Sequence, residues 1–115
     1  MYLNRYSFDP IIISQAPYQS TIATPNFGTT KMNTLKNFDF VSYQIAKNVN
    51  LQFTALEYNM GKNDSFYFMA NNQKIKIGKK GDAKTFTNQI VTLYYFCDKN
   101  TTVANNGALF QVKTI

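Results

Sequence analysis

The sequence has no His, no Trp and a single Cys, and only 16% of it is charged. Without imidazoles, and with one thiol, tetrahedral Cys/His zinc sites within one chain are excluded. Ser-His-Asp and Cys-His catalysis are excluded for the same reason. One Cys also leaves no partner for an intrachain disulfide. Five Gly and three Pro in 115 residues are too few for a disordered or collagen-like chain. No apolar run reaches the roughly 18–20 residues of a membrane-crossing helix. Met1-Tyr2-Leu3-Asn4-Arg5 does not read as a secretory signal.

What is present is aromatic and uncharged polar. Ten Phe and eight Tyr stand beside fourteen Asn and twelve Thr. Aromatic and β-branched residues fit a pleated, half-buried surface, and Asn and Thr make turns and local backbone hydrogen bonds at element ends. The length suits a single domain, taken here as 1–115, large enough to bury a core.

Hydrophobic periodicity is two almost throughout. Val41, Tyr43 and Ile45 alternate with polar or small residues, as do Val49, Leu51, Phe53 and Ala55. Lys47-Asn48 between them reads as a hairpin connection. Phe66 and Phe68 begin a further strand, Asn71-Asn72 makes a two-residue turn, and Ile75 and Ile77 follow. Residues 90–97 are apolar on both faces and read as a central strand. Asn105-Asn106-Gly107 is a turn before a last strand from Ala108 to Ile115. Ile11–Ser14 and Thr21–Thr24 are short strand candidates, and 25–37 reads as a long loop. Short strands with regular turn signals predict an all-β, two-sheet antiparallel sandwich.

The net charge of +6 is concentrated in Lys74, Lys76, Lys79, Lys80 and Lys84. Basic charge interleaved with aromatics is the chemistry of single-strand nucleic-acid binding. Arg, the usual reader of bases, occurs once, as Arg5. The plainer reading is a solvated Lys-rich hairpin that resists edge pairing.

The order of segments resembles a CUB domain. Ile22-Ala23-Thr24-Pro25-Asn26-Phe27 is similar to the family's I-x-S-P-N-Y opening. Val41-Ser42-Tyr43-Gln44-Ile45 resembles its C-x-W-x-I strand, with Val41 at the Cys position and Tyr43 at the Trp. Val49–Phe53 with Leu56-Glu57 resembles I-x-L-x-F…L-E, and Asp64–Phe68 resembles D-x-L-x-I. Val91–Asp98 resembles L-x-L-x-F-x-S-D, and Gly107-Ala108-Leu109-Phe110 opens the closing strand. The likeness runs over about residues 12–115. The chain departs from the family in lacking its usual four disulfide cysteines. The resemblance implies a jelly-roll sandwich, secreted and extracellular, with no enzymatic activity.

It also implies a calcium site. In a subset of CUB domains a Glu, two Asp and oxygens beyond the final S-D bind Ca²⁺; the matching positions are Glu57, Asp64, Asp98 and Asn100. Ca²⁺ takes about 6–8 oxygen ligands, so the donor chemistry is suitable. The same carboxylates also suit plain strand-end capping. Two sequons, at Asn63 and Asn100, fit N-glycosylation.

Three further features bear on partners. Tyr67, Tyr94 and Phe96 alternate with core positions and predict an aromatic contact surface for a protein or glycan. Cys97 falls on the face of Val91, Leu93 and Tyr95 and reads as a buried thiol, with an intermolecular disulfide as the alternative. Residues 1–9 read as an N-terminal arm able to add to a neighbouring subunit. The function expected is an extracellular interaction module binding protein or carbohydrate. The alternatives are a self-assembling subunit of a filament, coat or matrix, and a basic nucleic-acid binder.

Overall fold

A computed structural model describes residues 10–24, 37–59, 65–96 and 107–115. These are seven strands and their turns, with no helix among the described residues: β1 (Ile11–Ile13), β2 (Gln19–Ala23), β3 (Asn37–Asn59), β4 (Ser65–Ala70), β5 (Gln73–Lys76), β6 (Ala83–Phe96) and β7 (Gly107–Thr114). They form one sheet in the order β2-β7-β3-β6-β4-β5. Neighbours are antiparallel, except that short β1 joins β3 in parallel through Ile11–Ile13 and Tyr43–Ile45. The apolar run in β6 does make a central strand, flanked by β3 and β4.

The sheet wraps around its inner face. β4 and β7 are separated by β6 and β3, a span of about 14 Å in a flat sheet. Yet Phe66 of β4 stacks on Phe110 of β7 with ring centres 4.6 Å apart. Between them Phe68 meets Phe53, Phe86 and Phe110 at 5.1, 5.4 and 6.0 Å. Leu51, Val91, Leu93, Tyr95 and Val112 complete this buried cluster.

Four Asn at positive φ mark where the strands reverse or change phase. Asn71 and Asn72 take φ of 51° and 62°, and β4 and β5 reverse there as expected. At Lys47-Asn48 there is no reversal: β3 runs on through it. Only Asn48 is left-handed, at φ 71°, whereas a type I′ hairpin turn needs two such residues in succession and a type II′ turn needs the first, here Lys47. Instead the register with β6 moves from Ile45↔Gln89 to Asn50↔Thr87. Ala46–Val49 bulge out against Asn88, itself at φ 52°. The bulge reverses the alternation in β6. Phe86 faces the core before it, and Val91, Leu93 and Tyr95 after it.

Tyr43 is fully buried, edge-on to Phe53 at 5.3 Å, and its hydroxyl has no hydrogen-bond partner among the described residues. An unpaired buried hydroxyl costs about 1–3 kcal/mol. Tyr43→Phe is therefore expected to stabilise the protein by about 1 kcal/mol, read as a higher denaturant midpoint at unchanged slope. A lower midpoint would show that the hydroxyl is hydrogen-bonded in solution.

Candidate functional site

The outer face of β6, β4 and β5 carries the aromatic positions singled out above. Odd positions in the second half of β6 point inward, so Tyr94, Thr92 and Ile90 point outward; on β4, Tyr67 and Met69 alternate with buried Phe66 and Phe68. Register places Tyr94 directly across from Tyr67, and Tyr67 across from Lys76. The two Tyr rings stack at 5.2 Å and 7°. The Lys74 ammonium lies 4.8 Å from the Tyr67 ring centre, reaching it from the strand on the opposite side to Tyr94. Cation–π attraction and ring stacking thus hold one ordered row. Below it Ser42 and Thr92 hydroxyls hydrogen-bond at 2.9 Å, joining β3 to β6.

Apolar surface continues beside this row. Ile90 is 51% exposed and Ile12 is 67% exposed. Both flank Gln44, which pairs with Ile12 on one side and Ile90 on the other. Sequence reasoning missed these two isoleucines. The signal was Asn88, where the alternation of β6 changes phase and sends Ile90 outward. The backbone of Phe96 ends β6, but its side chain lies outside the described residues.

The five lysines do not form one hairpin. β5 pairs with β4, and β6 pairs with β4 on the other side, so β5 and β6 are not neighbours. Lys74 and Lys76 belong to the outer face of β5. Lys84 lies opposite Phe53 in the β3–β6 register. Lys79 and Lys80 sit in the turn before β6, which is tied to another bulge in β3, between Ala55 and Glu57. There Ala55 N–H donates to the Asp82 carbonyl at 2.9 Å, and Gly81 N–H donates to the Ala55 carbonyl at 2.8 Å. Gly81 has φ 93°, a conformation that favours glycine. The Asp82 carboxylate accepts from Gly78 N–H at 3.1 Å. Burial raises the pKa of nearby Tyr58, and the Asp82 charge adds to the rise.

Of the four residues matched to the family calcium site, Glu57 is described. Its carboxylate pairs with Lys80 at 3.8 Å, both side chains being well exposed. An ammonium there competes with a metal cation for the same oxygens. Asp64, Asp98 and Asn100 lie outside the described residues, as do Asn63, Cys97 and the arm 1–9. Among the described residues no group of three or more His, Cys, Asp or Glu is placed to hold a metal ion. Nor is any described helix long and apolar enough to cross a membrane.

Compared with known proteins, the chain matches no family model and no curated protein.

Proposed function

We propose that this chain is a non-enzymatic extracellular interaction module, a divergent CUB-like sandwich that docks a protein partner on the outer face of β6, β4 and β5. The stacked Tyr67–Tyr94 pair carries this reading, because it is an ordered aromatic row on a face that lies outside the core. The extracellular setting and the jelly-roll connectivity rest on the family resemblance. The wrapping of the sheet about one aromatic core supports the two-layer arrangement.

A protein suits this face better than a nucleic acid. Tyr67 already has Tyr94 stacked against its ring and the Lys74 ammonium 4.8 Å from its centre, so a base or a sugar stacking there has to compete with both contacts. What the row presents is ring edges and hydroxyls. With the exposed Ile90 and Ile12 alongside, and Lys74 and Lys76 at the rim, it fits a partner with apolar side chains edged by carboxylates. Selection from a random peptide display library tests this. Wild type is expected to enrich peptides rich in Asp or Glu beside Leu, Ile or aromatic residues. The variant Lys74→Glu with Lys76→Glu should lose that enrichment at least tenfold. Equal enrichment by both proteins contradicts the assignment of the face.

Calcium at Glu57, Asp64, Asp98 and Asn100 is a separate proposal resting on the resemblance. It predicts a higher Tm in millimolar Ca²⁺ than in EDTA; equal values remove it.

A further inference from the structure

The main path of strands ends at β2 and β5, and among the described residues neither has a neighbour on its outer side; three-residue β1, off this path, also has a neighbour on one side only. The two edges are guarded differently. β5 reads Gln-Lys-Ile-Lys, and its lysines oppose the addition of another strand. β2 reads Gln-Ser-Thr-Ile-Ala, with neither charge nor Pro.

β2 is also held in place at both ends. At one end Thr24 N–H donates to the Ala108 carbonyl at 2.9 Å, and Ala108 N–H donates to Thr24 Oγ1 at 3.0 Å. At the other, Thr114 N–H donates to the Tyr18 carbonyl and Tyr18 N–H donates to Thr114 Oγ1, both at 3.0 Å. These bonds fix the phase of the ladder. Tyr18 and Thr24 bond toward β7, so Ser20 and Ile22 do the same. In an antiparallel pair the alternate residues then direct their N–H and C=O away from the partner strand. Those residues are Gln19, Thr21 and Ala23. Tyr18 and Ile22 pack on the core, while Thr21 is exposed.

We propose that β2 pairs with β2 of a second copy of this chain, antiparallel about a two-fold axis at Thr21. The outward row is self-complementary in that register. Thr21 faces Thr21 of the second copy, and Gln19 faces its Ala23, with the reciprocal pair on the other side of the axis. Each hydrogen-bonded pair exchanges two bonds, about six in all. A two-fold contact closes the exposed edge of both copies at once. It also sets the two Lys-bearing β5 edges at opposite ends of the joined sheet. Two molecules of charge +6 thus meet along their uncharged edges. This pairing does not depend on the outer-face reading.

Sedimentation equilibrium of the full chain over a concentration series tests it, with Thr21→Lys, Thr21→Glu and Thr21→Pro alongside. Wild type is expected to rise from 13.2 kDa to twice that mass. Each charged variant should stay at 13.2 kDa, because like charges meet at the axis. Thr21→Pro should also stay monomeric, since it removes an outward N–H and no bond to β7. An equimolar mixture of Thr21→Lys and Thr21→Glu should recover the dimer, because opposite charges now face each other. A wild type that remains monomeric overturns the proposal. So does a dimer that all three variants leave intact, or a mixture that stays monomeric while wild type dimerises.

Discussion

Phe68→Ala is expected to lower the free energy of unfolding by about 3–5 kcal/mol. Phe68 is fully buried and touches four other rings, those of Phe66, Phe53, Phe86 and Phe110. These belong to β4, β3, β6 and β7, so the side chain sits where the inner faces of β4 and β7 meet across the core. Truncation leaves a cavity whose wall is rigid aromatic surface, and rings cannot collapse into it as aliphatic chains can. Single domains are stable by about 5–15 kcal/mol, so Phe68→Ala should be near its unfolding limit at 37 °C. Phe68→Leu keeps most of the volume and is expected to cost about half as much or less. Urea denaturation of the two variants measures both. A loss below about 1 kcal/mol for Phe68→Ala would mean that β4 does not close over β7 in solution.

Above pH 10 the protein is expected to lose stability steeply, and Tyr43 to account for much of the loss. Burial is the main reason that the Tyr43 phenol is pushed far above its ordinary value of 10.0, with the nearby Tyr18 adding to it. Tyr58 shifts the same way, through burial and then Asp82. In the unfolded chain both ionise near 10, whereas in the folded protein each holds its proton to a higher pH. Above that pH the unfolded state therefore binds fewer protons, and stability falls as pH rises. Below it neither group contributes a slope. For Tyr43 the loss is about 1.4 kcal/mol per pH unit until the folded protein itself begins to ionise. Tyr43→Phe removes this linkage. Its advantage over wild type should widen between pH 9 and pH 11, as followed by denaturant midpoints. Parallel curves for the two proteins would show that the Tyr43 phenol ionises as readily in the folded protein as in the unfolded chain.

The all-β class was legible because alternation, turn residues and aromatic content agree in β4, β7 and the later half of β6. Asn71-Asn72 was legible as a reversal because two adjacent residues there tolerate positive φ. The long β3 was not. Asn48 gives the same local signal as a turn residue, and only the facing Asn88 makes it a bulge. These two are 40 positions apart in sequence, and pairing across that distance leaves no trace in a window of a dozen residues. Asn88 also hid residues 83–89 as strand, because the inward positions change parity there. The placement of Tyr67 and Tyr94 on one face followed from alternation alone. That they stack, and that Lys74 caps one of them, depends on the register of three strands. The grouping of lysines by sequence proximity misled for the reverse reason: neighbours in sequence, β5 and β6, are separated by β4 in the sheet.

The central claim is that the Tyr67–Tyr94 face receives a protein rather than a nucleic acid or a sugar. Amide and side-chain chemical-shift mapping by NMR on isotope-labelled protein tests it most directly. Three probes are titrated separately: an acidic peptide with interspersed Leu and Phe, single-stranded DNA, and a sulfated oligosaccharide. The account predicts that the peptide shifts Tyr67, Met69, Ile90, Thr92, Tyr94, Lys74 and Lys76 as one contiguous set, more tightly than either other probe. Peptide shifts scattered elsewhere, or tighter binding of DNA or the oligosaccharide at that face, would contradict it.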